Sequence, residues 1–457
     1  MTAAVAIVCL LAACSGDEAL TATNATDTPS IRFDSYLGRQ PASRALMSDI
    51  GDLRATGFGV CAYYTPNGNY AAATAPNFMY NQLVEYRALY GEPYITAWTY
   101  FPIKFWPNDY STGAVDDQDN DTGGNPATGS GADRLSFFAY APYAETATNG
   151  TVAGAPTSGI TALTAATDTG DPLVSYTIAA SGPDLTDAAD ILWGVDAATG
   201  LPHLNMTKQR TDETVAFAFR HALTRLRLNI RAMVDETTPG TTDPDADTRI
   251  LVNSIAVSGN AASSARLNLN NTTAYTPLWQ NPTGAAMAFT SPSATTINPV
   301  IYSHTPLYDR NGAAIDMSSL AAFLGHAAYW DTGDNFSHLP AGVTATAQSV
   351  FASTDNAYLF IPLTTTGAQL TDLTFNVNYT VVTRDPALVR NNPAGFSIVT
   401  NDISRTLSLA TPFQGGKEYT VQLILGVESV AFDAAVSDWT DGTETSVYVP
   451  QNEEAAP

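Results

Sequence analysis

Three cysteines in 457 residues, five histidines, and 20 Lys and Arg against 44 Asp and Glu are the scarcities that bound this chain. Cys9 is expected to leave with a signal peptide and Cys14 to carry lipid, which leaves Cys61 with no partner for an intrachain disulfide. An exported chain without disulfides needs cores large enough to hold unstapled, and 45% hydrophobic content over this length supplies them. A formal net charge of -24 repels nucleic acid phosphates and anionic lipid head groups, so nucleic acid is excluded as a partner. His203, His221, His304, His326 and His338 show no metal-ligand spacing. His-Glu-x-x-His, Gly-x-Ser-x-Gly and a phosphate-cradling Gly loop followed by Lys are all missing, so no catalytic residues, cofactor or metal are assigned and no enzyme is expected. Apolar positions at helical spacing are also scarce, which argues against a helical protein.

The longest N-terminal apolar run, Ala3 to Ala13, is too short to span a bilayer core of about 30 Å but suits the apolar region of a signal peptide. It ends on Leu11-Ala12-Ala13-Cys14, the pattern of a bacterial lipobox. Residues 1–13 are then expected to be a signal peptide, Cys14 the lipidation site, and residues 14–30 a lipidated Thr/Ala/Asp tether. A signal peptide opens on Lys or Arg, and Met1-Thr2-Ala3-Ala4 carries neither, so the natural start is expected upstream.

Beyond the tether, short β-rich runs alternate with turn clusters, and the fold class is all-β. Phe78 to Tyr90 is the one stretch with a possible helix face, through Phe78, Leu83, Tyr86 and Tyr90. Leu373, Phe375, Val377, Tyr379 and Val381 alternate with polar residues, as do Tyr419, Val421, Leu423, Leu425 and Val427. One apolar and one polar face on each predicts neighbouring strands of a sandwich, with Tyr379 and Leu423 inward. Residues 116–133, 150–170 and 239–247 read as loops. Val215, Phe217 and Phe219 keep one alternation phase while Leu226, Leu228 and Ile230 keep the other. A bulge or a single helical turn around Arg220 to Thr224 is expected to absorb the difference, with His221 as a structural residue there. Trp98, Tyr100, Phe105, Trp106, Phe137, Phe138, Tyr140 and Tyr143 are expected to glue a first core.

Several segments carry a likeness that composition does not. They include Ser43-Arg44-Ala45, Gly57-Phe58-Gly59-Val60-Cys61-Ala62-Tyr63, Phe78-Met79-Tyr80-Asn81-Gln82, Trp98-Thr99-Tyr100, Lys104-Phe105-Trp106-Pro107 and Phe137-Phe138-Ala139-Tyr140-Ala141-Pro142-Tyr143. Asp190-Ile191-Leu192-Trp193, Phe219-Arg220-His221-Ala222-Leu223, Gly416-Lys417-Glu418-Tyr419 and Val436-Ser437-Asp438-Trp439 follow in order. Together they resemble the fimbrillin or Mfa-like subunits of type V pili. The resemblance implies two tandem β-sandwich domains of transthyretin-like topology, placed here at 31–207 and 208–457. It implies export as an outer-membrane lipoprotein and removal of an N-terminal strand at an arginine. It further implies assembly into a surface fimbria by donor-strand exchange with other pilin subunits, and extended structure, not helix, at 78–90.

Ile31, Phe33 and Leu37 share one face of an extended segment whose other face carries Arg32 and Asp34, so a first strand is expected at 31–37. Arg44 follows among small and polar residues and is the candidate processing site; Arg39 and Arg54 are its rivals. The acidic runs Asp117 to Asp121 and Asp243 to Asp247 offer carboxylates at alternate positions but lack the Gly and Glu of a calcium loop, and read as solvated surface. The alternative function is a monomeric surface lipoprotein that binds glycans or a host protein receptor through exposed aromatics.

Overall fold

The computed structural model describes residues 31–36, 50–66, 68–71, 73–89, 95–106, 134–153, 159–178, 190–206, 214–233, 248–290, 342–343, 345–351, 357–384, 396–426, 430–439 and 447–449. In chain order these give β1 (Phe33–Tyr36), α1 (Ile50–Thr56), β2 (Phe58–Thr65), β3 (Met79–Leu89), β4 (Ile95–Thr99), β5 (Arg134–Ala141), β6 (Ile160–Leu163) and β7 (Leu173–Thr177). Then come β8 (Leu192–Val195), β9 (His203–Met206), β10 (Val215–His221), β11 (Thr224–Ala232), β12 (Thr248–Asn268), β13 (Leu278–Thr290) and β14 (Gln348–Ser349). The chain finishes with β15 (Tyr358–Phe360), β16 (Asp372–Arg384), β17 (Phe396–Ser408), β18 (Lys417–Leu425), β19 (Val430–Asp438) and β20 (Val447–Val449).

The protein is all-β, as its alternation predicts. Three sheets form, in the orders β1-β10-β8-β5-β2-β3-β4 with β9 beside β5, β14-β11-β18-β19-β20 with β15 beside β11, and β17-β16-β12-β7-β6 with β13 beside β12. Most neighbours run antiparallel, but β1 pairs with β10, and β11 with β18, in parallel. Within the segment 78–90, residues 79–89 form strand β3 and not a helix. Its Asn81 sits at φ 42, and the pairing with β2 shifts between Val60 and Ala62, which accounts for a spacing that mimics a helix face.

The first sheet is buried on both sides. Phe58, Val60, Ala62, Phe137, Ala139, Phe217 and Phe219 face one core, which also takes Phe33, Leu53, Tyr100 and Trp106. Cys61, Tyr63, Phe138, Tyr140 and Trp193 point the other way, into a larger core shared with the β6–β7 hairpin and with the second and third sheets. Two-sided burial explains why Phe58 to Tyr63 reads as an unbroken apolar run. Gly59 fits this packing because a Cβ there would lie 2.5 Å from the Tyr140 ring, whose hydroxyl donates to Asn81 Oδ1 at 2.8 Å.

The second and third sheets face each other as a sandwich. Phe375 of β16 meets Phe432 of β19 at 5.2 Å between ring centres, and the Tyr379 hydroxyl donates to the Gly426 carbonyl. Tyr379 and Leu423 both point inward and are wholly buried. They come from opposite sheets, however, and not from neighbouring strands as the alternation alone predicted.

The sheets do not part at 207/208. β10, C-terminal to that boundary, pairs with β8 in the first sheet, and β7, N-terminal to it, pairs with β12 in the third. The phase switch has a different cause from the one expected. Val215, Phe217 and Phe219 serve the first core from one sheet, and Leu226, Leu228 and Ile230 serve the second core from another. The chain changes sheets across Ala222 and Leu223, so no bulge within a single strand is needed.

Candidate functional site

The first strand lies in a socket built from four elements. Ile31 and Phe33 are buried while Arg32 and Asp34 are exposed, the alternation that the sequence dictates; Leu37 lies outside the described residues. The Phe33 ring meets Tyr100 at 5.2 Å, Phe137 at 5.9 Å and Phe217 at 6.1 Å. Its backbone runs parallel to β10, Phe33 opposite Val215 and Tyr36 opposite Ala218, and the Val215 N–H donates to the Arg32 carbonyl at 2.9 Å.

β1 and β4 are the two ends of the first sheet, and the sheet curls until they touch. The segment after β4 holds both backbone groups of Ile31. Its N–H donates to the Lys104 carbonyl at 2.9 Å, and its carbonyl accepts from the Tyr100 hydroxyl at 2.9 Å. That hydroxyl in turn accepts from the Lys104 N–H at 3.1 Å. Burial pushes the Tyr100 phenol above its ordinary pKa, against the lowering effect of the Lys104 backbone, so it keeps the proton it donates. β1 thus closes an otherwise open edge.

Behind the socket, His203 of β9 stacks edge-on to Phe217 and donates from Nε2 to the Ala216 carbonyl at 2.9 Å. Burial pushes its pKa down, against the pull of that carbonyl and of Asp196. The ring supports β10 where β8 no longer reaches it. Cys61 is buried in the larger core, and desolvation raises its thiol to about 11, which leaves it an inert packing group at neutral pH.

A second constellation joins the sheets. His221 Nδ1 lies 2.5 Å from Asp190 Oδ2, and the imidazole stacks on Trp439 at 3.9 Å with planes 4° apart. The Ala222 carbonyl accepts from Trp279 Nε1 at 2.7 Å, the Gly416 N–H donates to the Leu223 carbonyl at 2.8 Å, and the Trp439 N–H donates to the Gly416 carbonyl at 3.0 Å. A Cβ on Gly415 would lie 2.4 Å from the Ala222 carbonyl, so only glycine permits this approach. Four motifs far apart in sequence, 190–193, 219–223, 416–419 and 436–439, therefore meet at one point, with His221 hydrogen-bonded and stacked inside it.

Of the expected first-core aromatics, Tyr100, Trp106, Phe137, Phe138 and Tyr140 are buried, and Trp98 and Tyr143 are half-buried. Phe105 is a correction: it is 54% exposed, because the adjacent Trp106 is the residue turned into the core. Arg54 lies on α1 with its guanidinium 4.2 Å over the Tyr86 ring. Cys14, Arg39, Arg44 and both acidic runs, 117–121 and 243–247, lie outside the described residues. Among the described residues no three His, Cys, Asp or Glu side chains are grouped to hold a metal, and no helix is long and apolar enough to cross a membrane. The Tyr100 hydroxyl's role was hidden in the sequence. A Tyr within an apolar run does signal a buried polar partner, though not which one.

Three curled and stacked sheets whose first strand plugs an edge define an all-β protein of sandwich-like architecture. No family model matches the chain. A fimbrial protein from Bacteroides vulgatus has the same fold, with a TM-score of 0.56 at 20% identity over 90% of this chain and 99% of that one. Fimbrium subunit Fim1C of Phocaeicola vulgatus is 25% identical over 453 residues, 96% of each chain. The chain is thus similar over nearly its whole length to a fimbrium subunit, in line with the fimbrillin-like motifs of its sequence.

Proposed function

We propose that this chain is a structural and adhesive subunit of a cell-surface fimbria. It is exported as an outer-membrane lipoprotein on Cys14, processed at Arg44, and assembled by strand exchange with other pilin subunits. Homology to a fimbrium subunit over nearly the whole length supports the class. The observation that carries the mechanism is the seat of β1, an edge strand whose two apolar side chains fill an aromatic socket. Removing it would leave the β10 edge unpaired and the Phe137, Phe217 and Tyr100 rings uncovered, a vacancy that an alternating strand from another subunit satisfies along its length. The two tandem sandwich domains belong to the same proposal.

The test is the N-terminus of the protein recovered from the cell surface, with its state of assembly. Wild type should appear in a high-mass ladder on gels of unboiled surface material, beginning at Ala45. Arg44→Ala should give a folded, lipidated monomer outside the ladder, and Cys14→Ala should take up no labelled fatty acid. A ladder of Arg44→Ala subunits that still carry β1 would refute strand removal. A sole monomer under every condition would favour a surface lipoprotein that binds glycans or host proteins.

A further inference from the structure

Seven large hydrophobic side chains are exposed among the described residues, and three of them, Phe101 (80%), Ile103 (44%) and Phe105 (54%), occupy one five-residue stretch. Single exposed apolar residues are ordinary, as Leu204, Met233, Tyr275 and Val399 are here, whereas a contiguous set marks an interaction surface. The set has a defined inner side. Tyr100 and Trp106 at its ends turn into the core, and the Tyr100 hydroxyl and Lys104 carbonyl hold Ile31.

We propose that Phe101, Ile103 and Phe105 form the platform on which a second copy of this chain seats when its strand replaces β1; this rests on the strand-exchange function proposed above. Whatever strand takes the place of β1 must lie against residues 100–104, because the Tyr100 hydroxyl and the Lys104 carbonyl supply the partners of Ile31. The body attached to the strand is then brought onto the outward side of the same segment. Charge favours this place of contact. Two copies of this strongly acidic chain, whose full length carries a net charge of -24, repel, and within residues 100–106 the only charged side chain is the basic Lys104.

The experiment uses cells that make the fimbria. A benzoylphenylalanine placed at Ile103 should, on irradiation of assembled fibres, form an adduct whose second peptide, identified by mass spectrometry, comes from another copy of this chain. The triple variant Phe101→Ser, Ile103→Ser, Phe105→Ser should keep the thermal midpoint of the monomer, since these side chains are exposed. It should be processed normally, yet lose at least about tenfold of its ladder and accumulate as processed monomer. An adduct with lipid alone, no adduct between copies, or a normal ladder from the triple variant overturns the platform. If wild-type fibres have lost β1 while the triple variant assembles normally, only the platform falls. If wild-type fibres retain β1, strand exchange falls and takes the platform with it.

Discussion

Phe33→Ala tests whether the first strand is held by its socket. Truncating a buried Phe costs about 3 to 5 kcal/mol, which includes roughly 0.5 to 1.5 for each well-placed aromatic pair, and Phe33 has three such neighbours in Tyr100, Phe137 and Phe217. Because β1 is an edge strand, that loss falls on its own attachment before it falls on the rest of the fold. Taking the lower figure, about 3 kcal/mol makes the open, strand-released state roughly a hundredfold more populated. The reporter is the Val215 amide, whose acceptor is the Arg32 carbonyl immediately before β1. Hydrogen exchange should quicken there by about two orders of magnitude while amides of β12 and β16 in the third sheet keep their protection. Arg32→Ala, which removes an exposed side chain and leaves the backbone acceptor, is the control. Unchanged exchange at Val215 in Phe33→Ala would show that the socket does not hold the strand, and equal quickening in β12 and β16 would show that β1 is part of the global core.

Tyr100→Phe leaves the Ile31 carbonyl and the Lys104 N–H without their shared partner, a cost of about 1 to 3 kcal/mol, and should quicken Val215 exchange in the same assay; no change would refute the hydroxyl's role. Leu423→Ala should cost about 2 to 5 kcal/mol in urea unfolding, and Val421→Ala less, since both side chains are buried between the second and third sheets; wild-type stability for Leu423→Ala would refute that packing. Cys61 offers a pH test. Its thiol is raised from 9.0 to about 11 in the folded protein, so the folded state binds the proton more tightly than the unfolded chain does. The associated stability is complete below pH 9 and declines as pH rises toward 11, by about 3 kcal/mol in all. Cys61→Ala should flatten that part of the profile, and a profile that Cys61→Ala leaves unchanged would refute it.

The residues that gave up their structure from sequence are those whose side chains answer to one face of one sheet. Leu373 to Val381 and Tyr419 to Leu425 alternate cleanly because each strand borders a single core, and Ile31 with Phe33 does the same at the socket. Partners were harder to read. An inward face specifies burial but not what lies across the core, so Tyr379 and Leu423 were set side by side when they stand on opposite sheets. Segment 78–90 looked helical because a bulge at Asn81 interrupts its alternation. The switch at Arg220 to Thr224 was legible as a change of phase, yet only three-dimensional structure shows that it is a change of sheet. At the socket, the strand and its apolar face were legible. The Tyr100 hydroxyl, the Lys104 carbonyl and the exposure of Phe105 were not, because each depends on how the sheet curls its far edge onto the first strand.

The parallel pairing of β1 with β10 has a mechanical consequence. A strand tugged along its own axis against a parallel neighbour slides, and sliding strains every backbone bond of the pair at once, whereas peeling from one end would break them singly. β10 runs on through His221 into β11, which lies parallel to β18 in the next sheet. Tension delivered to the edge that β1 occupies would therefore cross the molecule by shear at both parallel seams. Between them lies the stacked knot of His221, Asp190 and Trp439, where the traction passes from one sheet to the next.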